Sequence, residues 1–224
     1  MSEPRLENSV IKIRQLIDDY RAGRVVIPEF QREYVWKKNQ APKLIDSLYR
    51  GYPISSLLLW VTTADVRSRR RDPRPSRNGQ TNWLIDGQQR MITLARCLTG
   101  DEDIEVVFNP EKPAFRLANA ATKQDQNWFR LAEIWDDDLY RNLRRRLSET
   151  HAEAQAKARE AEFDRVRRIL DYEIPVLKMA DHSFTDAVEA FSRINTRGYK
   201  LLAKDIESAH IAARHSGFIA DEVA

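Results

Sequence analysis

The chain has little of what builds extracellular or membrane-bound proteins. Among 224 residues there is one cysteine, Cys97, so the chain can form neither a disulfide framework nor a thiolate zinc site. No apolar run approaches the ~18 residues that a membrane-spanning helix needs. The N-terminus also lacks the apolar segment of a secretory signal peptide. These absences predict a cytoplasmic protein without a membrane partner, with Cys97 as a small core residue.

Several kinds of catalytic centre are also absent from the sequence. It contains no Gly-x-x-x-x-Gly-Lys-[Ser/Thr] loop, so a nucleotide would need a cradle other than the P-loop. The four histidines lack the spacing of a metal pair or a nuclease cluster. Arrangements typical of serine or cysteine nucleophiles are missing as well. Chemistry at this chain therefore has to come from carboxylates, amides and guanidinium groups.

Positive charge is concentrated in one segment. The chain carries 37 Lys and Arg against 34 Asp and Glu, and a net charge of +3 does not by itself indicate nucleic-acid binding. Residues 65–77, however, contain six arginines among Ser and Pro, which predicts a mobile loop because such a segment cannot bury apolar surface. One interpretation is a solvated linker, and the other is a DNA contact through Arg69, Arg70 and Arg71.

The densest polar stretch follows a short apolar strand. Trp83–Ile85 leads directly into the turn Asp86–Arg90, and apolar residues at helical spacing continue to a stop at Gly100. The start of a helix offers free N–H groups and the positive end of the helix dipole, which is typical of an anion site. Arg90 could bind a phosphate and Asp86 a hydrated Mg²⁺. Alternatively, Asp86 caps the helix and Arg90 pairs with a surface carboxylate.

The hydrophobic pattern elsewhere predicts an α+β fold. A helix from Val10 to Tyr20 is expected, with Asn8 or Ser9 as its cap. Glu173–Lys178 is expected to be an edge strand because it contains Pro175. The remaining predicted elements are a helix over 39–49, a strand over 54–61, a hairpin of 104–108 with 114–117, two helices within 134–170 that part near His151, a helix beginning at Ser183 and a last helix over 204–215.

Three segments of the sequence resemble the ordered motifs of a known family. The first motif is Ile27-Pro28-Glu29-Phe30-Gln31-Arg32-Glu33-Tyr34-Val35-Trp36, the second is Asp86-Gly87-Gln88-Gln89-Arg90, and the third is Phe191-Ser192-Arg193-Ile194-Asn195-Thr196-Arg197-Gly198. They resemble the DGQQR-containing domain of GmrSD-type modification-dependent restriction enzymes and of related phage-defence proteins. Three motifs in the same order are far more specific than any one of them.

The resemblance implies a fold and a chemistry. The expected fold is a ParB/sulfiredoxin-like mixed sheet over residues 1–120, followed by a mainly helical part over 121–224 that completes the site within one compact unit. The expected activity is Mg²⁺-dependent binding and hydrolysis of a nucleoside triphosphate. Gly87 and Arg90 would hold phosphates, Asp86 a metal ion or attacking water, and Gln88 or Gln89 would orient that water. The nucleotide would also contact Gln31, Arg32, Arg193 and Asn195.

The same resemblance implies partners. In such families this domain senses nucleotide and modified DNA, whereas an HNH-type nuclease domain or subunit cuts the DNA. Nothing after Asp205 supplies an HNH cluster, so the nuclease is expected in a longer chain or in a separate subunit, and a homo-oligomer is a further expectation. Two alternatives stay open: a nucleotide-independent, ParB-like DNA-binding module, and a nuclease acting at the second motif. The nuclease is the weaker alternative, because a lone carboxylate is a poor base for two-metal cleavage.

Overall fold

The computed structural model describes residues 3–28, 34–62 and 81–195, without the side chains of Glu102 and Asn195. Several predicted features lie outside these residues. They are Gln31 and Arg32 of the first motif, the arginine segment with Arg69, Arg70 and Arg71, Arg197 of the third motif and the last predicted helix.

The described residues form an α+β fold, as predicted, and helices predominate after residue 120. The strands are β1 (Arg5–Lys12), β2 (Val25–Val26), β3 (Leu57–Thr62), β4 (Thr81–Asp86), β5 (Val106–Asn109), β6 (Ala114–Leu117), β7 (Phe129–Arg130) and β8 (Glu173–Ala180). The helices are α1 (Ile13–Arg21), α2 (Gln40–Tyr49), α3 (Gln88–Thr99), α4 (Ala120–Gln124), α5 (Leu131–Trp135), α6 (Asp137–Thr150), α7 (Glu153–Arg167) and α8 (Phe184–Asn195), with short 3-10 helices at Glu102–Ile104 and Arg168–Asp171.

Two sheets organise these elements. The larger has the order β1-β8-β3-β4-β2, in which β8 is parallel to β3, β2 is parallel to β4, and the other neighbours are antiparallel. The smaller is antiparallel with the order β6-β5-β7. Because β8 lies between β1 and β3, the central part of the larger sheet combines segments that are more than 100 residues apart in the chain.

The predicted start of the N-terminal helix is wrong. Asn8 and Ser9 do not cap a helix, because they lie in β1 opposite Leu177 and Val176 of β8. The helix itself starts at Ile13. The apolar spacing that suggested an earlier start includes Val10, which is 60% exposed on the strand. A long-range strand pairing has here overridden a local helical pattern.

The position predicted for β8 is also wrong. This strand is not at an edge, since β1 pairs along its whole length and β3 lies on its other side. Pro175 faces Val10 of β1, and pairing with β3 starts one residue later, at Val176. Pro175 is therefore tolerated in an inner strand because it lies just outside the β3 ladder.

Other predicted elements are confirmed. The β5–β6 hairpin forms, α6 and α7 part at His151, and Gly51 with φ +73° follows α2. Ser183 begins α8 in a capping box: the Asp186 N–H donates to Ser183 Oγ at 3.1 Å, and the Ser183 N–H donates to Asp186 Oδ2 at 2.9 Å. The likeness to the ParB/sulfiredoxin core stays a prediction.

The larger sheet is covered on both faces. On one face, alternate strand residues such as Leu59 and Leu84 join the main core, which α1, α2 and α3 also enter. On the other face, Trp60, Trp83 and Ile85 pack against α8. Within the described part of the chain, no helix has both the length and the apolar character needed to cross a membrane.

The helix α3, which begins within the second motif, is largely buried. It packs against α1, α2 and α5, and its buried residues are Gln88, Gln89, Met91, Ile92, Thr93, Leu94, Ala95 and Cys97. Cys97 is 2% exposed, as expected of a core residue, and burial raises the pKa of its thiol to about 12.

We expect Cys97 to resist thiol reagents in the folded protein. A thiol with a pKa of about 12 is deprotonated in only about one molecule in ten thousand at pH 8, and the thiolate is the reactive form. Labelling with a chromogenic disulfide at pH 8 should therefore be slow, and it should become rapid and stoichiometric in guanidinium chloride. Rapid labelling without denaturant would contradict the buried position.

Candidate functional site

The sheet topology brings the first and second motifs to one edge. Since β2 and β4 are parallel, the segments that follow them leave the sheet at the same end. The first motif continues from β2, and the Asp86–Arg90 turn continues from β4. The antiparallel β3 starts at this end, so residues 54–56 lie beside the turn. The site is thus assembled where three segments meet at a sheet edge.

Gly87 makes the tight junction between β4 and α3. It occupies the N-cap position of α3 with φ +98°, a left-handed conformation that favours glycine. A Cβ at this position would overlap Leu57 Cδ2 and come within 3.1 Å of Arg90 Nη2. Only glycine allows the chain to turn this closely against β3 and Arg90. Asp86 itself precedes the cap position.

Arg90 braces the turn from inside. Its Nη1 donates to the Ile54 carbonyl at 2.5 Å, and its Nη2 donates to the Ser56 carbonyl at 2.8 Å and to Asp86 Oδ2 at 3.2 Å. The side chain is 12% exposed. Burial lowers the pKa of the guanidinium, and the charge of Asp86 opposes that shift. Arg90 thus ties the start of β3 to the end of β4, and its partner is Asp86 of the same turn.

The backbone that receives Arg90 is itself unusual. Ser55, between the two carbonyls, has φ +70°, one of two non-glycine residues with positive φ in the described ranges. An L-residue in this region is strained by about 1–2 kcal/mol. The pairing of β3 with β4 also shifts register between Leu58, opposite Asp86, and Leu59, opposite Leu84. The bulge changes the direction of the last residue of β4, so strained or irregular backbone surrounds Asp86 on both strands.

Asp86 is the accessible charge of this site. Its side chain is 36% exposed, and Arg90 is the partner found for its carboxylate. The start of α3, which is the positive end of its helix dipole, lies immediately after Asp86 in the chain. The arrangement can therefore place a carboxylate, a helix dipole and a braced guanidinium within a few residues of one another.

The two glutamines of the second motif are interior. Gln88 is 6% exposed and Gln89 is 7% exposed. Gln89 Oε1 accepts hydrogen bonds from the Val35 N–H at 2.9 Å and from the Trp36 N–H at 3.2 Å. Gln89 thereby fastens the last residues of the first motif to α3.

A second contact between the same two motifs lies one turn further along α3. The Tyr34 hydroxyl is 2.9 Å from Thr93 Oγ1, which donates to the Gln89 carbonyl at 2.7 Å. The Arg96 guanidinium lies over the Tyr34 ring at 4.7 Å. The structure therefore brings the end of the first motif to the second motif, whereas Gln31 and Arg32 lie outside the described residues.

The third motif starts in α8, on the other face of the sheet. Phe191 is 3% exposed and packs with Trp83 and Ile85 of β4. Arg193 is largely exposed, and its guanidinium donates to Glu189 on the preceding turn at 2.5 and 2.9 Å. The described part of α8 reaches Asn195, and the polar turn predicted to follow it lies outside the described residues. The structure thus places the apolar part of the motif against β4 and the Arg193 side chain on the surface.

Sequence reasoning did not identify the segment at residues 54–56 as part of the site. Two features of the structure identify it: the Ile54 and Ser56 carbonyls accept hydrogen bonds from Arg90, and Ser55 has a positive φ. Neither feature corresponds to a recognisable sequence motif. The clamping role of Gln89 was also missed, because a glutamine in a polar turn gives no indication of whether it points inward.

Comparison with known families gives one match. The family model described as "GmrSD restriction endonuclease, N-terminal domain" matches residues 13–212, so all three motifs fall within it. No curated protein matches the chain.

We expect Gly87→Ala to be much more destabilising than Gly51→Ala. Both glycines have positive φ, which costs an L-residue about 1–2 kcal/mol. At Gly51 the new methyl group meets nothing within 4 Å, whereas at Gly87 it overlaps Leu57. Urea denaturation should show a loss of about 1 kcal/mol for Gly51→Ala and of about 3 kcal/mol or more for Gly87→Ala. Equal losses would contradict the close approach at Gly87.

We expect Arg90→Met to lower the free energy of unfolding by about 2–4 kcal/mol, because two carbonyls lose their donor. A matched control is Arg50→Met directly after α2, where Arg50 pairs with Asp46 four residues earlier but is 49% exposed. That change should cost much less stability, because exposed ion pairs contribute little. Urea denaturation would measure both variants, and a loss at Arg90 as small as that at Arg50 would show that the guanidinium does not brace the turn.

Proposed function

The chain belongs to the GmrSD restriction endonuclease N-terminal domain family, and on this premise we propose that it binds and hydrolyses a nucleoside triphosphate as the sensor of a DNA-restriction system. The observation that carries the proposal is the half-exposed carboxylate of Asp86, held by buried Arg90 at the start of a buried helix. A braced charge at a helix N-terminus suits phosphate and its counter-ion. Without this geometry around Asp86, the second motif would support only the family assignment.

The residues at the turn fit a Mg²⁺–nucleotide complex. Mg²⁺ is usually bound through one or two carboxylates together with phosphate oxygens and water, and Asp86 supplies one reachable carboxylate. Among residues 3–28, 34–62 and 81–195 there is no group of three metal-ligating side chains. The ion would therefore depend on the nucleotide for its other ligands. When bound, it would neutralise charge on the phosphates.

Hydrolysis at such a site needs positioning more than a covalent nucleophile. Phosphoryl transfer is accelerated mainly by orientation and by charge neutralisation. We propose that Asp86 and the positive end of the α3 dipole face the phosphates, with Gly87 permitting close approach. The observed contacts of Arg90 favour a role in positioning Asp86, and direct phosphate contact by Arg90 stays a prediction.

The glutamines and the flanking motifs take secondary roles in this proposal. Gln89 holds the last residues of the first motif against α3, and Gln31 and Arg32 of the same motif would contact the nucleotide. Gln88 is the candidate for orienting the attacking water. Arg193 and Asn195, at the end of α8, would contact the nucleotide from the third motif. Each charge-assisted hydrogen bond of this kind contributes about 1.5–3 kcal/mol, so a few suffice for micromolar affinity.

The family assignment also suggests a role in a restriction system. We propose that nucleotide turnover in this domain controls an HNH-type nuclease domain or subunit that cuts DNA, modified DNA included. Arg69, Arg70 and Arg71 of the arginine segment are the proposed phosphate contacts on DNA. Their role can be tested through the salt dependence of DNA affinity, which weakens as phosphate contacts are lost.

We expect Asp86→Asn to reduce the turnover of ATP, GTP, CTP or UTP in Mg²⁺ by about a hundredfold or more, because a site for the metal-bound phosphates loses its charge. Phosphate release from the purified protein measures the effect. Thermal unfolding should change little, since Asp86 is partly exposed and Arg90 keeps both carbonyl partners.

The matched control is Asp46→Asn. Asp46 is also 36% exposed and also pairs with an arginine four residues later, but it lies in α2. This variant should keep full turnover. If Asp86→Asn also keeps it, the assignment of the site is wrong. If the wild-type protein turns over no nucleotide and still binds DNA, the DNA-binding alternative replaces this proposal.

A further inference from the structure

A cavity of about 350 Å³ lies on the smaller sheet, away from the Asp86 turn. It is bounded by β5, α4 and the start of α5, and the residues used below are Glu105, Val107, Lys123, Trp128, Arg130 and Glu133. Its volume lies within the range of small-molecule sites, about 300–1,000 Å³. None of these residues belongs to the three sequence motifs.

The strand register explains why an aromatic ring and two arginines meet here. Val107 of β5 lies opposite Arg116 of β6 on one side and Arg130 of β7 on the other. The neighbouring Phe108 faces the main core, so these three residues share the outer face of the sheet. Trp128, two residues before Arg130, is half-buried, and the Arg116 guanidinium lies over its ring at 5.1 Å. The outer face of the smaller sheet therefore carries the Trp128 ring, on which the planar guanidinium of Arg116 is stacked.

The remaining wall provides both donors and acceptors. Glu105 is 13% exposed and pairs with Arg130 at 2.5 Å and with Lys123 at 3.5 Å. Glu133 supplies a second carboxylate. Two carboxylates at the wall disfavour a phosphate or an acidic side chain inside the cavity, and four ionisable groups disfavour a purely apolar occupant. A flat ligand with both hydrogen-bond donors and acceptors matches this lining.

The cavity is separate from the Asp86 turn. Glycine at position 100 follows the C-terminal end of α3, and a Cβ there would lie 3.4 Å from Arg130 Nη2. Gly87 is at the opposite end of this 12-residue helix, about 18 Å away at 1.5 Å per residue. A ligand in the cavity and a nucleotide at the turn would therefore contact different residues.

We propose that this cavity binds one nucleobase, stacked on Trp128, with the acidic and basic side chains of the wall pairing with its polar edge. Aromatic faces flanked by Arg or Lys are the usual platform for single bases. Lys123, which is 67% exposed at the rim, lies where it would meet the attached phosphate. The base can come from a free nucleotide or from an unpaired position in a nucleic acid, because both present the same ring.

The test uses nucleoside monophosphates and ten-nucleotide single strands, titrated into the full chain by calorimetry. Trp128→Leu should raise the Kd by about tenfold, since the stacking platform is lost, and Trp128→Phe should keep it within about threefold. Lys123→Glu should raise the Kd of the monophosphates by at least about threefold. The matched control Lys157→Glu, at a similarly exposed lysine of α7, should not.

The outcomes separate the sources and separate this site from the turn. Binding of monophosphates identifies a free nucleotide, and binding of the single strands alone identifies a base within nucleic acid. The proposal is overturned if no probe binds below about 5 mM. It is equally overturned if Asp86→Asn raises the Kd while Trp128→Leu and Lys123→Glu do not, since the binding would then belong to the turn.

Discussion

The arrangement of the Asp86 turn depends on the buried guanidinium of Arg90. One planar group joins two carbonyls of the segment before β3 and the carboxylate that ends β4. A buried cation is costly unless it is hydrogen-bonded, and here the partners compensate that cost while fixing the backbone around them. The same contacts hold Ser55 in its strained conformation and keep the Asp86 carboxylate at the surface. The position of the exposed Asp86 carboxylate thus depends on the buried guanidinium of Arg90.

Around this interaction, the polar side chains of the second motif divide their tasks. Those that point inward maintain the architecture: Gln89 holds the Val35–Trp36 backbone, and Thr93 holds Tyr34. The Asp86 carboxylate stays partly exposed. The five residues of the motif therefore mainly join the strands, the helix and the first motif at one sheet edge, which is the preorganisation that the proposed phosphate site requires.

The helix α3 gives this edge its rigidity and connects it to the smaller sheet. Eight of its side chains are buried, so its two ends are fixed relative to each other by the core. One end carries the proposed nucleotide site, and the other borders the cavity with Trp128. A change in packing at one end is transmitted through close-packed side chains more readily than through a loop.

The sequence by itself determined the α+β class, the β5–β6 hairpin, the capped start of α8 and the strand–turn–helix at Asp86, because each depends on neighbours within a few residues. The motifs, through their order, also pointed to the family. Only the tertiary structure decided that residues 5–12 form a strand, that β8 is an inner strand, and that Gln89 and Arg90 face inward. These outcomes rest on pairings between segments 30 to more than 160 residues apart, where the balance between local propensity and long-range burial is set by partners that no local pattern contains.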